Sequence, residues 1–141
     1  MTSIADQIQK LWFDSGRIII MTAKGRQLSL PLEISPALYY ADDFVRNDYY
    51  LWDNNQSIRW ESIDEDIHIS HFLESVDVNY DNPVNAMLSA YGPEELKQLA
   101  QRMDIHWSLL ARMKFGVAKS NPLMIQRLQN FLANPPMPEA I

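Results

Sequence analysis

The side chains best suited to contacting a nucleic acid lie in the stretch 106–121. Arg112 carries a guanidinium that can donate two hydrogen bonds to one guanine, and the Ala111 methyl group can contact the methyl group of a thymine. Lys119 and Asn121 stand where a loop meets the predicted start of a helix, and such a place can hold a phosphate. These residue types are able to contact DNA, and a solvated surface charge is the alternative role for Arg112.

Two other groups of polar residues have spacings that do not favour chemistry. His68 and His71 are three apart in an extended segment, so their imidazoles diverge unless the chain turns helical between them. The adjacent carboxylates at 42–43 and 64–66 are typical of exposed charge. With no cysteine and four glycines, the chain has neither a thiol nucleophile nor a glycine-rich phosphate loop. We therefore predict no catalytic residue, no metal and no cofactor.

The elements that must position the candidate DNA contacts are two short helices joined at a tight turn. A first apolar stripe recurs at three- and four-residue steps and consists of Leu96, Leu99, Ala100 and Met103. After a break at 104–106, a second stripe begins with Leu110 and Met113. Ala100 is small where the helices would approach, and Ile105 can fill the angle between them.

This pair of helices resembles the helix-turn-helix of the lambda-repressor-like family, whose second helix lies in the DNA major groove. That family favours glycine at the place of Asp104, because the turn takes a left-handed backbone that aspartate tolerates better than most residues. The resemblance implies base contacts from the second helix and its leading end, namely His106, Trp107, Ser108, Ala111 and Arg112. The alternatives are an ordinary helix pair with Trp107 packed inside, and a protein-binding face to which Leu109 and Phe115 add apolar surface.

The N-terminal part predicts an antiparallel meander followed by a helix. Three short strands, at 10–14, 17–23 and 26–30, are separated by turns at 14–16 and 24–25. Ser35 and Pro36 are a favourable helix start, and apolar residues at 38, 41, 44 and 45 predict one helix over 37–51. Further extended segments are predicted at 57–60 and 66–69, and a short helix begins at 71–74.

Three segments of this part resemble the family known as domain of unknown function 2442. They are LWFD at 11–14, KGRQLSLPL at 24–32 and SIRWESIDEDIHI at 57–69, of which the last is the most specific. The resemblance implies a small bacterial or phage α+β domain and supplies no catalytic residue. It also implies that a C-terminal helix-turn-helix or an antitoxin-like role beside a small toxin is compatible with this domain.

Aromatic residues are concentrated in the same part of the chain. The doublets Tyr39-Tyr40 and Tyr49-Tyr50 cannot both point inward from one helix, so one ring of each is predicted to be exposed. Exposed aromatic rings on an acidic surface suit a protein partner or self-association.

Composition and charge set the limits of these interpretations. The 141 residues are 47% apolar, enough for one domain or two small ones, and no run approaches the roughly eighteen apolar residues of a membrane span. No secretory signal is evident, and we predict a cytoplasmic protein. Residues 1–92 hold six Lys or Arg and fourteen Asp or Glu, a net charge of −8, whereas residues 93–141 hold six and four, a net charge of +2. Only the C-terminal part can approach a polyanion without a long-range penalty.

The sequence therefore predicts an α+β protein with two domains. A small antiparallel β-sheet plus helix occupies 1–75, a linker 76–82, an all-α helix-turn-helix bundle 83–134 and a mobile tail 135–141. The predicted function is a transcriptional regulator that binds double-stranded DNA, as a dimer formed through an N-terminal protein-interaction domain. The alternative is a protein-interaction module, antitoxin-like or an inhibitor, whose helix-turn-helix is only a scaffold.

Overall fold

The computed structural model describes residues 5–133, so the predicted tail at 135–141 lies outside the described residues. The chain divides into two compact units, Met1–Val78 and Asn79–Ile141, which are called here the N-terminal and the C-terminal unit. All described strands belong to the first, and the long helices belong to the second. The chain is therefore a mixed α+β protein, as predicted. No helix among residues 5–133 is both long enough and apolar enough to cross a membrane.

The first sheet of the N-terminal unit is the predicted meander. Its antiparallel strands, in the order β1-β2-β3, are β1 (Ile8–Asp14), β2 (Arg17–Thr22) and β3 (Gln27–Pro31). The β1–β2 turn contains Ser15 and Gly16, both at positive φ, and this conformation suits the twist of a two-residue hairpin loop. On the central strand, Ile18 and Ile20 alternate with less buried residues and are fully buried.

A second antiparallel sheet closes the same core. It contains β4 (Tyr50–Trp52), β5 (Ser57–Trp60) and β6 (Glu65–His68), in that order. Ile58, Trp60 and Ile67 are buried in one cluster with the buried residues of the first sheet, and Leu51 packs against that cluster. The register pairs Leu51 with Ile58 and Ile58 with Ile67, so one face of this sheet is apolar and lies on the core.

The prediction of one helix over 37–51 is wrong. The segment forms two one-turn helices, α1 (Pro36–Tyr39) and α2 (Asp43–Arg46), followed by strand β4. The Asp42 carboxylate accepts a hydrogen bond from the Val45 N–H at 2.9 Å and so begins a new helix in the middle of the predicted one. Phe44, predicted to face inward, is 81% exposed.

Arg46 explains why helix α1 can end after one turn. Its guanidinium donates to the Leu38 and Tyr39 carbonyls at 3.0 and 2.9 Å, which replaces the hydrogen bonds that a continued helix would have given them. Its own carbonyl accepts from the Trp60 indole N–H at 2.9 Å. Contacts between residues far apart in sequence thus override the local helical pattern.

The C-terminal unit is all helical among the residues described. Its helices are α3 (Pro83–Leu88), α4 (Pro93–Met103), α5 (Trp107–Phe115) and α6 (Pro122–Ala133). The predicted proline starts are confirmed at α3, α4 and α6, and Gly116 ends α5 in the predicted left-handed conformation at φ 77°. The fully or almost fully buried side chains here are Val84, Leu88, Leu96, Leu99, Ala100, Met103, Leu110, Ala111, Met113, Phe115 and Leu128.

Candidate functional site

The turn between α4 and α5 has the backbone geometry that the sequence predicts. Asp104 takes the left-handed conformation at φ 56°, and its N–H donates to the Gln101 carbonyl at 3.2 Å. The Ile105 N–H donates to the Ala100 carbonyl at 3.0 Å, which completes a Schellman ending of α4. The expectation that aspartate adopts this conformation in place of glycine is confirmed.

Two of the predicted DNA contacts, His106 and Ser108, are bonded to each other at the start of α5. The His106 Nδ1 atom accepts a hydrogen bond from the Ser108 N–H at 3.1 Å and lies 2.6 Å from the Ser108 Oγ atom. His106 is the N-cap of the helix, so its imidazole satisfies a backbone donor that would otherwise have no partner. His106 is exposed, whereas Ser108 is half-buried.

Trp107 is also half-buried, and the Lys97 Nζ atom lies 4.9 Å from the centre of one of its rings. An ammonium at this distance is attracted by the ring electrons. Together with His106 and Ser108, Trp107 lies at the leading end of α5, where the sequence placed all three.

Ala111 is not presented as the sequence predicted, and Arg112 is only partly accessible. The Ala111 side chain has no exposed surface, so the expected thymine contact is impossible in this conformation. Arg112 is half-buried, and its Nε atom is buried without a hydrogen-bond partner among the described residues. The small Ala111 side chain packs closely inside the C-terminal unit. The spacing of apolar residues in the sequence is compatible with either a buried or an exposed alanine at this position.

Lys119 and Asn121 lie apart from these residues, just before α6. Both are exposed, and the Asn121 Oδ1 atom accepts from the Met124 N–H at 2.8 Å as the cap of α6. Lys119 lines a shallow depression with Asn82 and Gly116. The side-chain oxygen of Asn121 is thus occupied by the helix, and Lys119 is the exposed cation at this end.

The whole of α5 is poorly accessible. All nine of its residues are buried or half-buried. Phe115, expected to add apolar surface, is 2% exposed and has its ring 5.9 Å from that of Tyr80. Lys114 is buried as well; its Nζ atom donates to the Tyr91 carbonyl at 2.9 Å, and desolvation lowers its pKa. Much of α5 is therefore part of the core of the C-terminal unit.

A second candidate surface lies in the N-terminal unit, on the side of the second sheet away from the core. Tyr50 and Trp52 are two residues apart on β4, so their rings point to this side, and each residue is 48% exposed. The register places Arg59 opposite Tyr50, and Asp66 opposite Arg59. The outer face is defined here as Tyr50, Trp52, Arg59, Glu61, Asp64 and Asp66.

One guanidinium meets three carboxylates on the outer face. Arg59 donates to Glu61, Asp64 and Asp66 at 2.9, 2.8 and 2.6 Å. Hydrogen bonds to these carboxylates, first to Glu61, raise the pKa of Arg59, and the hydrogen bond from Arg59 lowers the pKa of Glu61. The Tyr50 hydroxyl donates to Glu61 at 2.9 Å, which raises the pKa of Tyr50. The Tyr50 ring is therefore held beside a net negative charge.

This surface was not predicted from the sequence, because the residues of strand β4 were assigned to the predicted helix over 37–51. The 64–66 carboxylates were predicted to be solvated charge, with no connection to Tyr50 or Trp52. The available signal was the two-residue spacing of the aromatic side chains before the Asp-Asn-Asn turn, whose residues 53–55 all have positive φ. The predicted exposure of one ring per doublet is confirmed for Tyr50, whereas Tyr39 and Tyr40 are both half-buried.

The two histidines next to β6 serve as caps. The His68 Nδ1 atom accepts from the Ser70 N–H at 3.0 Å, and the His71 Nδ1 atom accepts from the His68 N–H at 3.1 Å. These bonds form the capping box of a 3-10 turn at Ile69–Leu73. Among residues 5–133, no group of three or more His, Cys, Asp or Glu side chains could hold a metal ion.

Comparisons with protein-family models, with curated proteins and with solved structures gave no match. The resemblances to the domain of unknown function 2442 and to the lambda-repressor-like family therefore stay predictions. Any functional conclusion for this chain depends on the geometry of its own residues.

Proposed function

We propose that this chain is a protein-interaction module whose binding surface is the outer face of the N-terminal unit. The observation that carries the proposal is the pair Tyr50 and Trp52, each 48% exposed on the same face as the three carboxylates bound by Arg59. Tyrosine and tryptophan are the residues most enriched at the energetic centres of protein interfaces. Such a module acts by binding a partner protein, as an antitoxin or an inhibitor does, and no catalytic residue is proposed for it.

Both rings are attached to a strand that is fixed on the core. Leu51, between them, packs against the core cluster, and the Tyr50 hydroxyl is held by Glu61. A partner would therefore find large apolar surfaces whose ordering cost is already met by the fold. Burying the side chain of Trp52 or Tyr50 in an interface would contribute on the order of 2 kcal/mol.

Phe44 adds a third exposed aromatic ring to the same unit. It is 81% exposed and lines a shallow depression with Asp43, Asn47 and Asp48. The same combination of an aromatic ring and carboxylates thus occurs twice in the N-terminal unit. We include Phe44 as a contributor to partner binding.

In this proposal the C-terminal helix pair acts as a scaffold. Ala111 is fully buried, and Ser108 is bonded to His106, which leaves little of α5 for base readout. A chain without cysteine suits the reducing cytoplasm, where we place the module.

The proposal is tested by affinity capture, which compares the wild-type chain with a variant of the outer face and with a control variant outside it. Immobilised wild-type chain, the double variant Tyr50→Ser/Trp52→Ser and the control Leu73→Ser are exposed to lysate of the source cells. The retained proteins are then quantified by mass spectrometry. Leu73 is 57% exposed and lies outside the outer face, so its variant should retain the same partner as wild type. The proposal fails if every retained protein is captured equally by the double variant.

DNA binding is the second candidate, and the turn at Asp104 favours it. Left-handed Asp104 joins two helices of the lengths that a helix-turn-helix needs, and Lys119 is exposed for a phosphate contact. Under this candidate, double-stranded DNA is bound by His106, Trp107, Ser108, Arg112, Lys119 and Asn121. If Arg112 reads a base, Arg112→Ala should weaken binding by about 1–3 kcal/mol at one base position in a mobility-shift assay. Lys119→Ala should weaken binding to all sequences and reduce its salt dependence.

A further inference from the structure

We infer that the outer face binds an extended, cationic segment of a partner protein, laid along strand β4 with a Lys or Arg side chain against Trp52. This inference rests on the proposed function and gives the partner's chemistry. Three features of the structure support it: the charge of the outer face, its aromatic rings and the position of β4 in its sheet.

The net negative charge of the outer face favours a cationic ligand. Arg59 contacts one oxygen each of Glu61, Asp64 and Asp66, which leaves an excess of two negative charges. Each carboxylate can accept several hydrogen bonds, so its capacity is not used up by Arg59. The side chains of Glu61 and Asp64 are 65% and 90% exposed and can be reached by a partner.

The aromatic rings of the outer face also favour a cation, in addition to its negative charge. A guanidinium or ammonium over the face of a tryptophan or tyrosine ring is stabilised by the ring electrons, most strongly for tryptophan. Tyr50 and Trp52 stand on the same side of β4; the Tyr50 hydroxyl contacts Glu61, and Trp52 lies two residues further along the strand, opposite Ser57. A long basic side chain can therefore place its methylene groups on a ring and its charge near a carboxylate.

The position of β4 favours an extended segment. Among residues 5–133, β4 is hydrogen-bonded to β5 on one side only and is an edge strand of its sheet. A peptide can add to such an edge through its backbone, with alternate side chains directed to one face. Alternate basic residues of the partner would then all reach the outer face.

A second copy of this chain is disfavoured as the occupant. Residues 1–78 hold six Lys or Arg and thirteen Asp or Glu, a net charge of −7. Pairing two outer faces would bring the excess carboxylates of both copies together, and like charges across an interface oppose association. The charge of the unit therefore favours a partner of opposite charge.

The test uses two fluorescein-labelled nine-residue peptides, one alternating Arg and Thr and the other alternating Glu and Thr. Binding to the full chain is followed by fluorescence anisotropy at low and high salt. We expect the Arg peptide to bind and the Glu peptide not to bind. Affinity should fall at least about fivefold when the salt concentration is raised, since the charges are exposed. Trp52→Ala should weaken binding about two- to fivefold.

A matched charge control separates a defined site from general attraction to an acidic protein. Asp64→Asn removes one charge from the outer face, whereas Asp14→Asn removes one from an exposed position on the first sheet. Only the first variant should weaken binding of the Arg peptide. Equal effects of the two variants, or no effect of Trp52→Ala, would overturn the inference.

Two further results separate this inference from the proposed function. If a captured partner depends on Trp52 but binds independently of salt and the Arg peptide does not bind, the inference fails and the proposed function stands. If sedimentation shows a dimer that Trp52→Ala dissociates, the occupant is a second copy and the inference also fails. If the Arg peptide binds as expected while no cellular protein depends on the face, the proposed function fails alone.

Discussion

At the scale of single residues, two buried cationic groups of α5 differ in how they are satisfied. The Lys114 ammonium donates to the Tyr91 carbonyl, whereas the Arg112 Nε atom has no hydrogen-bond partner among the described residues. A buried donor without a partner costs free energy, because its hydrogen bonds to water are lost and not replaced. Arg112 is therefore a residue whose removal can improve the fold.

Arg112→Met tests this difference. The substitution removes the unpaired donor and keeps an unbranched side chain, so we expect the free energy of unfolding to rise by about 1 kcal/mol in urea titrations. The control is Lys114→Met, which leaves the Tyr91 carbonyl without its donor and should lower the stability by about 1 kcal/mol. Destabilisation of both variants to the same extent would contradict this account of Arg112.

The pKa of Asp6 predicts how the stability of the N-terminal unit depends on pH. Burial raises the pKa of Asp6, but hydrogen bonds outweigh burial and lower the pKa to about 2. The donors are the Thr22 hydroxyl, the Lys24 and Gln7 N–H groups and the Arg26 guanidinium. Because the pKa is lower in the folded chain than the ordinary value of 3.8, ionised Asp6 stabilises the fold above about pH 4. This stabilisation is lost as the pH falls from about 4 to about 2.

Asp6→Asn should therefore be less stable than wild type at pH 7, with the difference shrinking between pH 4 and pH 2. Thermal unfolding measured at a series of pH values checks this. Asp14→Asn, at an exposed carboxylate of the same unit, should show no comparable loss at pH 7. A stability difference for Asp6→Asn that stays constant down to pH 2 would disagree with the lowered pKa.

At the scale of elements, the end of α5 is joined to the start of the C-terminal unit. The Asn79 N–H donates to the Phe115 carbonyl at 3.0 Å, and the Asn82 side chain donates to the Lys114 carbonyl at 3.1 Å. These donors satisfy carbonyls that the helix end leaves without partners. Residues 79–82, which the sequence assigned to the linker, are thus bonded to α5.

Gly116 is required by both its backbone conformation and its surroundings. A Cβ atom at this residue would meet the carbonyl of Asn79, and φ is +77°. We expect Gly116→Ala to lower the unfolding free energy of the C-terminal unit by about 3 kcal/mol or more, combining left-handed strain with overpacking. Loss of helical circular dichroism during denaturation measures this change.

The matched control is Gly25→Ala, because Gly25 has a similar φ of +81° but no atom within 4 Å of the added Cβ. It should cost only the strain of a positive φ, about 1–2 kcal/mol. A smaller loss for Gly116→Ala than for Gly25→Ala would show that the contact with Asn79 does not constrain the helix end.

At the scale of the whole molecule, charge is divided unequally between the two units. The N-terminal unit carries −7, whereas residues 79–141 hold six basic and five acidic residues, a net charge of +1. Self-repulsion of a strongly charged unit opposes its folding and is screened by salt. The same excess of negative charge is what the proposed cationic partner would neutralise.

Salt should consequently stabilise the N-terminal unit. Raising the salt concentration from 20 mM to 500 mM is expected to raise its melting temperature by about 4–8 °C, the shift that a gain of about 1 kcal/mol gives in a unit of this size. Tryptophan fluorescence of a Trp107→Phe variant reports on this unit alone, through Trp12, Trp52 and Trp60. A lower melting temperature at high salt would show that the Arg59 ion pairs outweigh the repulsion.

Features that depend on local backbone chemistry could be predicted from the amino-acid sequence. The first three strands, the proline starts of the helices, the left-handed ends at Asp104 and Gly116 and the mixed α+β class follow from residues close together in the chain. Turn and cap preferences act over a few residues, so spacing alone is sufficient to predict them.

Three features could not be predicted without the packing of the folded chain: the split of the predicted helix over 37–51, the burial of Ala111 and Phe115, and the assembly of the outer face. Each depends on groups far apart in sequence: Arg46 is fixed in part by Trp60, and Tyr50 meets Arg59 only through strand pairing. Periodicity shows which residues share one side of an element, but whether that side is covered depends on what packs against it.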